Sequence, residues 1–226
     1  MSKGKMIGMT MSDGKSIAVY HVEPYGVRKG GLVVIQEIFG ITDHIREVAD
    51  SYCMEGYEVL APALFDREEP GLNIGADEMQ KGVELAYKRH PFDLSVADAM
   101  TCVHALKKNG LVFAVGYCYG GSVTWALACR SRELAAASSY YGKLAPDMAD
   151  EKPQCPTICH FGRTDASIPL DRVERFAKLR PETTVYLYDA GHGFNSPRPT
   201  HHNAAAAKLA RDRTLELFRA NGGYRR

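Results

Sequence analysis

Hydrophobic positions along the chain fall into short blocks whose period switches repeatedly between two and about 3.6 residues. Near the start, "MIGMT" and "SIAVYHV" flank "MSDGK", and Asp13-Gly14 suits a tight reversal, so an antiparallel hairpin is predicted. The run "GLVVIQEIF" is continuous and β-branched, the pattern of a strand buried on both faces. "TDHIREVADSYCMEGY" then takes helical spacing, with Thr42 or Asp43 to cap its start and Gly56 to end it.

The alternation continues to the end. "YEVLAPAL" predicts a strand, "FDREEPGLNIGAD" a polar loop, and Glu78–Arg89 and Asp93–Lys108 two helices. "LVFAVG" reads as a strand with the helix "GGSVTWALACRS" packed close behind it. "LAAASSYYG" and "TICHFG" read as strands around a proline-containing loop. "LDRVERFAKLR" is helical, "TTVYLYDA" is a strand, and a helix from about Asn203 to Ala220 closes the chain. Repeated strand–helix alternation defines an α/β protein with a mostly parallel central sheet, helices on both faces and an N-terminal antiparallel hairpin. No repeat, low-complexity stretch or Pro/Gly-rich linker divides it, so residues 1–226 are expected to form a single domain.

Charge narrows the partners. Lysines and arginines number 28 against 27 acids, so no global field favours nucleic acid or an anionic membrane. An anionic ligand would need a local cationic site. The opening "MSKGKMIGMTMSDGKS" lacks the apolar core of a secretory leader. No apolar run approaches the roughly 18 residues that span a bilayer. Cys53, Cys102, Cys118, Cys129, Cys155 and Cys159 are scattered through core-like segments rather than spaced as a disulfide framework. A reducing, cytoplasmic setting is the expectation.

Metal chemistry finds little support. Cys155 and Cys159 would lie on one strand face but roughly 13 Å apart, too far to share an ion. His201 and His202 are adjacent, point in different directions on a helix, and read as a solvated helix start. His21, His44, His90, His104 and His160 show no partner pattern. No metal and no cofactor are expected.

Open parallel sheets bind ligands beyond the carboxyl ends of their strands. Three chemical groups stand there. Cys118 follows "FAVG", Asp165 lies in "FGRTDASIP" after "TICHFG", and His192 lies in "AGHGF" after "VYLYDA". Nucleophile, acid, histidine is the chain order of α/β-hydrolase triads. Gly116-Tyr117-Cys118-Tyr119-Gly120 fits the nucleophile elbow with cysteine in place of serine, a strained strand-to-helix turn where flanking side chains would collide. Gly121 would let the following helix approach the sheet, and that helix's N-terminus favours a thiolate. Asp171 and Asp189 are rival acids, but one falls inside a predicted helix start and the other is too close to His192 in sequence. Glu37 ends an apolar strand, where a buried carboxylate is costly without a function or a partner.

Together "QEIFG", "GYCYGG", "GRTDASIP" and "AGHGF" resemble the dienelactone hydrolase family of α/β-hydrolases, over about Met6 to Phe218. The resemblance implies a Cys118–His192–Asp165 triad, and a Glu37 that holds the resting thiol and takes its proton when substrate binds. It also implies an oxyanion hole from the backbone N–H groups of Tyr119 and Ile38. The expected reaction is hydrolysis of a small ester or lactone through a thioester. A general carboxylesterase or thioesterase acting on an uncharged acyl group is the alternative, followed by a non-hydrolytic thiol-sensing or ligand-binding protein of the same fold. The family's two carboxylate-binding arginines are not matched. Lys81 is the nearest cation in "MQKGVELAYKRH", Val83 falls near the first arginine's place, and Arg198 is the candidate after the histidine. Arg198, Lys81 and the Tyr119 side chain are therefore the expected substrate contacts, while Arg67 in "FDREEPG" reads equally well as surface charge. A monomer or small homo-oligomer is expected.

Overall fold

The computed structural model describes residues 4–198 and 201–223. Eight strands form one sheet: β1 (Lys5–Thr10), β2 (Ser16–Val22), β3 (Gly30–Ile35), β4 (Tyr57–Pro62), β5 (Val112–Tyr117), β6 (Leu134–Tyr140), β7 (Thr157–Gly162) and β8 (Thr184–Tyr188). Their order is β1-β2-β4-β3-β5-β6-β7-β8. The hairpin runs antiparallel from Lys5↔His21 to Thr10↔Ser16, β2 is antiparallel to β4, and every later pair is parallel. The central strands β3 and β5 are buried along their whole length, which is why their sequences are unbroken apolar runs.

The helices are α1 (Asp43–Met54), α2 (Met79–Glu84), α3 (Phe92–Lys107), α4 (Tyr119–Arg130), α5 (Leu170–Leu179) and α6 (Ala204–Ala220). They cover both faces of the sheet. Thr42, rather than Asp43, caps α1 by accepting from the Ile45 N–H, and Gly56 follows its end with φ +99°. The single helix predicted over Glu78–Arg89 is α2 running into a π-helical turn at Leu85–Arg89. Tyr57, Phe113 and Phe218 pack together where α6 meets the sheet, with ring centroids 4.8–5.9 Å apart and Tyr57 edge-on to both phenylalanines. Fully burying one such phenyl ring contributes roughly 1.5–3 kcal/mol. On the opposite side Trp125 of α4 packs edge-on against Phe176 of α5 and donates to the Met148 carbonyl.

Two details bear on the site. First, β3 stops at Ile35, so Gln36 and Glu37 belong to the loop beyond it; buried Gln36 pins that loop by accepting from the Leu64 N–H and donating to the Glu37 carbonyl. Second, Arg67 is no surface charge. Its side chain is 6% exposed and joins Asp98, buried in α3, to Asp13 at the hairpin tip, at 2.6 Å each. These contacts tie the hairpin, the loop after β4 and α3 together. Among the described residues, no helix is long and apolar enough to cross a membrane.

Candidate active site

Cys118 sits between β5 and α4 with φ +55°, a left-handed backbone that costs a residue with a side chain about 1–3 kcal/mol. The glycines beside it are sterically required. A Cβ on Gly116 would strike the Gly120 carbonyl, and one on Gly120 would strike the carbonyl of Ile35 in β3. The tight turn holds the thiol at the carboxyl edge of the sheet, where loops from other strands converge.

His192 follows β8 and Asp165 follows β7. His192 Nε2 lies 3.1 Å from Cys118 Sγ, and its Nδ1 lies 2.7 Å from Asp165 Oδ2. Asp171 lies in the first turn of α5, and Asp189 is 95% exposed and pairs with Arg163. Burial pushes the His192 pKa down, but the charge on Cys118 and the bonds to Asp165 and Cys118 outweigh it, raising it to about 10. For Asp165 burial raises the pKa, yet hydrogen bonds from His192 and Ser167 prevail and hold it below the ordinary carboxylate value.

These groups line a cavity of about 460 Å³ together with Glu37, Ile38, Phe39, Met79, Val83, Tyr87, Lys143, Arg198 and His201, among others. Glu37 is 4% exposed, and burial pushes its pKa up against the opposing charges of Arg198 and His192. Ile38 is held from above by α2, because Gly82 packs on its carbonyl so closely that a Cβ there would come within 2.7 Å of the oxygen. Tyr119 opens α4, so its N–H is one of the first-turn donors without a helical acceptor.

The expected substrate contacts separate. Arg198 lines the cavity, its guanidinium 3.4 Å from the centre of the Phe39 ring. Lys81 does not line it; its ammonium pairs with Glu69 at 2.6 Å, because Val83 and Met79 are the α2 residues on the cavity side. Nor does the Tyr119 side chain. It turns inward from α4, is fully buried, shares a hydrogen bond with Ser95 and braces Tyr87 from behind. His201, expected at a solvated helix start, lines the cavity instead, because Asn203 is the residue that caps α6.

Sequence reasoning missed four residues. Lys143 lines the cavity from the loop after β6, 5.6 Å from the Tyr87 ring. Tyr87 sits four positions after Val83, a helical spacing that could have signalled a shared face. Ser167 touches both Asp165 and His192 and stands inside the quoted "GRTDASIP". Tyr141, with φ +38°, lays its buried ring 5.1 Å from His192; nothing in "SSYYG" marks it. Among the described residues, one group of possible metal ligands, His21, Glu23 and Glu58, lies within 4.8 Å, but none of the three lines the cavity and Glu58 already accepts from Arg28 at 2.6 Å.

A mostly parallel eight-stranded sheet with a hairpin edge, an elbow after its fifth strand and an acid and histidine after later ones defines an α/β-hydrolase. The family model for "Dienelactone hydrolase family" matches residues 17–222, and the chain belongs to that family of hydrolases acting on ester or lactone bonds. It is 32% identical to a "Putative carboxymethylenebutenolidase" of Escherichia coli (strain K12), covering 94% of this chain and 85% of that one. It is 29% identical to a "Carboxymethylenebutenolidase" of Pseudomonas putida, covering 92% and 96%. The crystal structure of a "Putative Dienelactone Hydrolase" from Klebsiella pneumoniae subsp. pneumoniae superposes with a TM-score of 0.85 at 25% identity, covering 97% of this chain and 99% of that one.

Proposed function

We propose that the chain hydrolyses a small ester or lactone through a Cys118–His192–Asp165 triad and a thioester intermediate. The observation that carries this reading is the unbroken line Sγ–Nε2, Nδ1–Oδ2 at 3.1 and 2.7 Å, built from loops after separate strands and opening into the cavity. The Cys118 thiolate attacks the carbonyl carbon, and the oxygen's developing charge falls on the Ile38 and Tyr119 N–H groups. Losing one such donor costs about 2.7–4 kcal/mol of transition-state stabilisation. His192 protonates the leaving oxygen, then draws a proton from water as it attacks the thioester. In a lactone the leaving oxygen stays tethered to the acyl group. The thiol rests 3.1 Å from His192 Nε2, which takes its proton, while Glu37, expected to hold the thiol, is a buried neighbouring carboxylate of the same cavity whose pKa burial raises.

Among the described residues, the arginine and lysine that line the cavity are Arg198 and Lys143, and they favour a substrate with a carboxylate or another anionic group. Val83, Met79 and Tyr87 add apolar surface to the same cavity, which favours the second reading, an uncharged acyl ester or thioester. The test is Cys118→Ala in the full chain, assayed on a p-nitrophenyl ester and on a dienelactone. Hydrolysis of both is expected to vanish while the unfolding midpoint stays in place. Near-normal turnover by that variant would overturn the triad. Wild-type protein that is alkylated stoichiometrically at Cys118 yet turns over no ester would point instead to a thiol-sensing protein.

A further inference from the structure

Ser167 has no part in the proposed hydrolysis, yet its hydroxyl touches both partners behind the nucleophile. Its backbone N–H donates to Asp165 Oδ1 at 2.8 Å, and its Oγ lies 2.6 Å from the same oxygen and 3.1 Å from His192 Nδ1. A serine hydroxyl has one hydrogen. The shorter contact, to a carboxylate that can only accept, takes it. The Oγ lone pairs then face Nδ1, whose N–H has two acceptors: Asp165 Oδ2 at 2.7 Å and Ser167 Oγ.

We propose that Ser167 is a positioning residue that fixes the proton on His192 Nδ1 and stabilises the imidazolium, thereby arming Cys118 before substrate arrives. The inference rests on the triad reading. With Nδ1 committed to two acceptors, Nε2 is left bare toward Cys118 Sγ and can take the thiol proton: the S–H bond breaks, the N–H bond forms, and a thiolate–imidazolium pair results. The negative end of the Ser167 dipole faces the ring that becomes charged. Asp165 stays oriented, because both of its bonds from Ser167 are on Oδ1 and leave Oδ2 for the histidine. The groups interacting with His192 are Cys118 after β5, Asp165 after β7, Glu37 after β3 and His201 after β8; the Tyr141 ring packs on it, and Arg198, whose charge acts on Glu37 and His201, lines the same cavity with Lys143. To these Ser167 adds a neutral hydroxyl within hydrogen-bond distance of Nδ1.

A purely structural serine, one that only completes the turn at Asp165, would leave thiol reactivity unchanged. The discriminating measurement is the rate of Cys118 alkylation by iodoacetamide across pH in substrate-free full chain, for wild type, Ser167→Ala, Ser167→Gly and Ser167→Thr. The alanine and glycine variants should both move the midpoint of thiolate appearance upward by about 0.5–1 pH unit, the size of one net hydrogen bond. Their kcat should fall about three- to tenfold with KM within twofold, and threonine, which restores a hydroxyl, should return both toward wild type. A midpoint that stays put or moves down in the hydroxyl-less variants would overturn the proposal. Failure of the triad reading is separately visible, because Cys118→Ala would then still hydrolyse ester.

Discussion

Asp165→Asn removes one charge without changing shape, and the hydrogen bonds around the carboxylate set the consequence. That carboxylate is fully buried, with two donors from Ser167 on Oδ1 and His192 Nδ1 on Oδ2. The two Ser167 donors require an acceptor, so the amide oxygen must take the Oδ1 position and the NH₂ must face Nδ1. A donor opposite Nδ1 forces the other tautomer. Nε2 then carries the hydrogen toward Cys118 Sγ and cannot accept the thiol proton. Loss of the correct tautomer costs about 10⁴ in kcat, some 5.5 kcal/mol at 1.36 kcal/mol per decade.

A cysteine nucleophile adds a signature that a serine would not. Free thiols ionise near pH 8.5, so the Asn variant should recover part of its rate as pH rises toward 10, without help from His192. The variant's stability deficit should shrink over the same pH range. The raised His192 pKa stabilises the fold fully below its ordinary value of 6.5, and that stabilisation fades as pH climbs toward about 10. The lowered Asp165 pKa adds stability above its ordinary 3.8. The variant's deficit in unfolding midpoint should therefore be greatest between those two values and smallest near pH 10. The assay is kcat on a p-nitrophenyl ester from pH 6 to 10, with thermal melts in the same buffers. A rate loss under tenfold at pH 7, or a deficit that stays constant to pH 10, would refute the reasoning.

The same geometry sets two further outcomes. Arg198→Ala should lower kcat/KM for a carboxylate-bearing ester by about 10–100-fold, the worth of one hydrogen bond to a charged group, while an uncharged ester of equal size stays within threefold; equal losses on both would remove Arg198 from substrate recognition. Asp98→Ala strips the buried Arg67 guanidinium of one partner, so about 3–5 kcal/mol of stability should disappear. At about 2–4 °C per kcal/mol for a chain of this size, the unfolding midpoint should drop by roughly 6–20 °C, and a change under 2 °C would show the pair to be dispensable.

The elbow was legible in the sequence because its glycines answer a local demand. Gly116 and Gly120 must lack side chains for the turn to close on β3 and α4, and that constraint is written within five residues. The strands were legible for a similar reason: β3 and β5 are buried on both faces, so their runs are uniformly apolar. Ser167 and Lys143 left no such mark. A serine two residues after an aspartate is ordinary turn composition, and a lysine after a strand is ordinary surface composition. Lys81 misled for the converse reason. It stands near the expected place in sequence, but the rotation of α2 presents Met79 and Val83 to the cavity and leaves the ammonium to Glu69.

Periodicity and turn residues were enough to specify the strand–helix alternation and the elbow, because each reflects interactions within a few residues, and the chain order of Cys118, Asp165 and His192 added the α/β-hydrolase pattern. Distances between loops depend on sheet order and helix rotation, which no local pattern encodes. Only the folded sheet could bring Asp165 Oδ2, His192 and Cys118 Sγ into line, bury Arg67 between the hairpin and α3, turn the Tyr119 ring away from the cavity, and set Ser167 Oγ against His192 Nδ1.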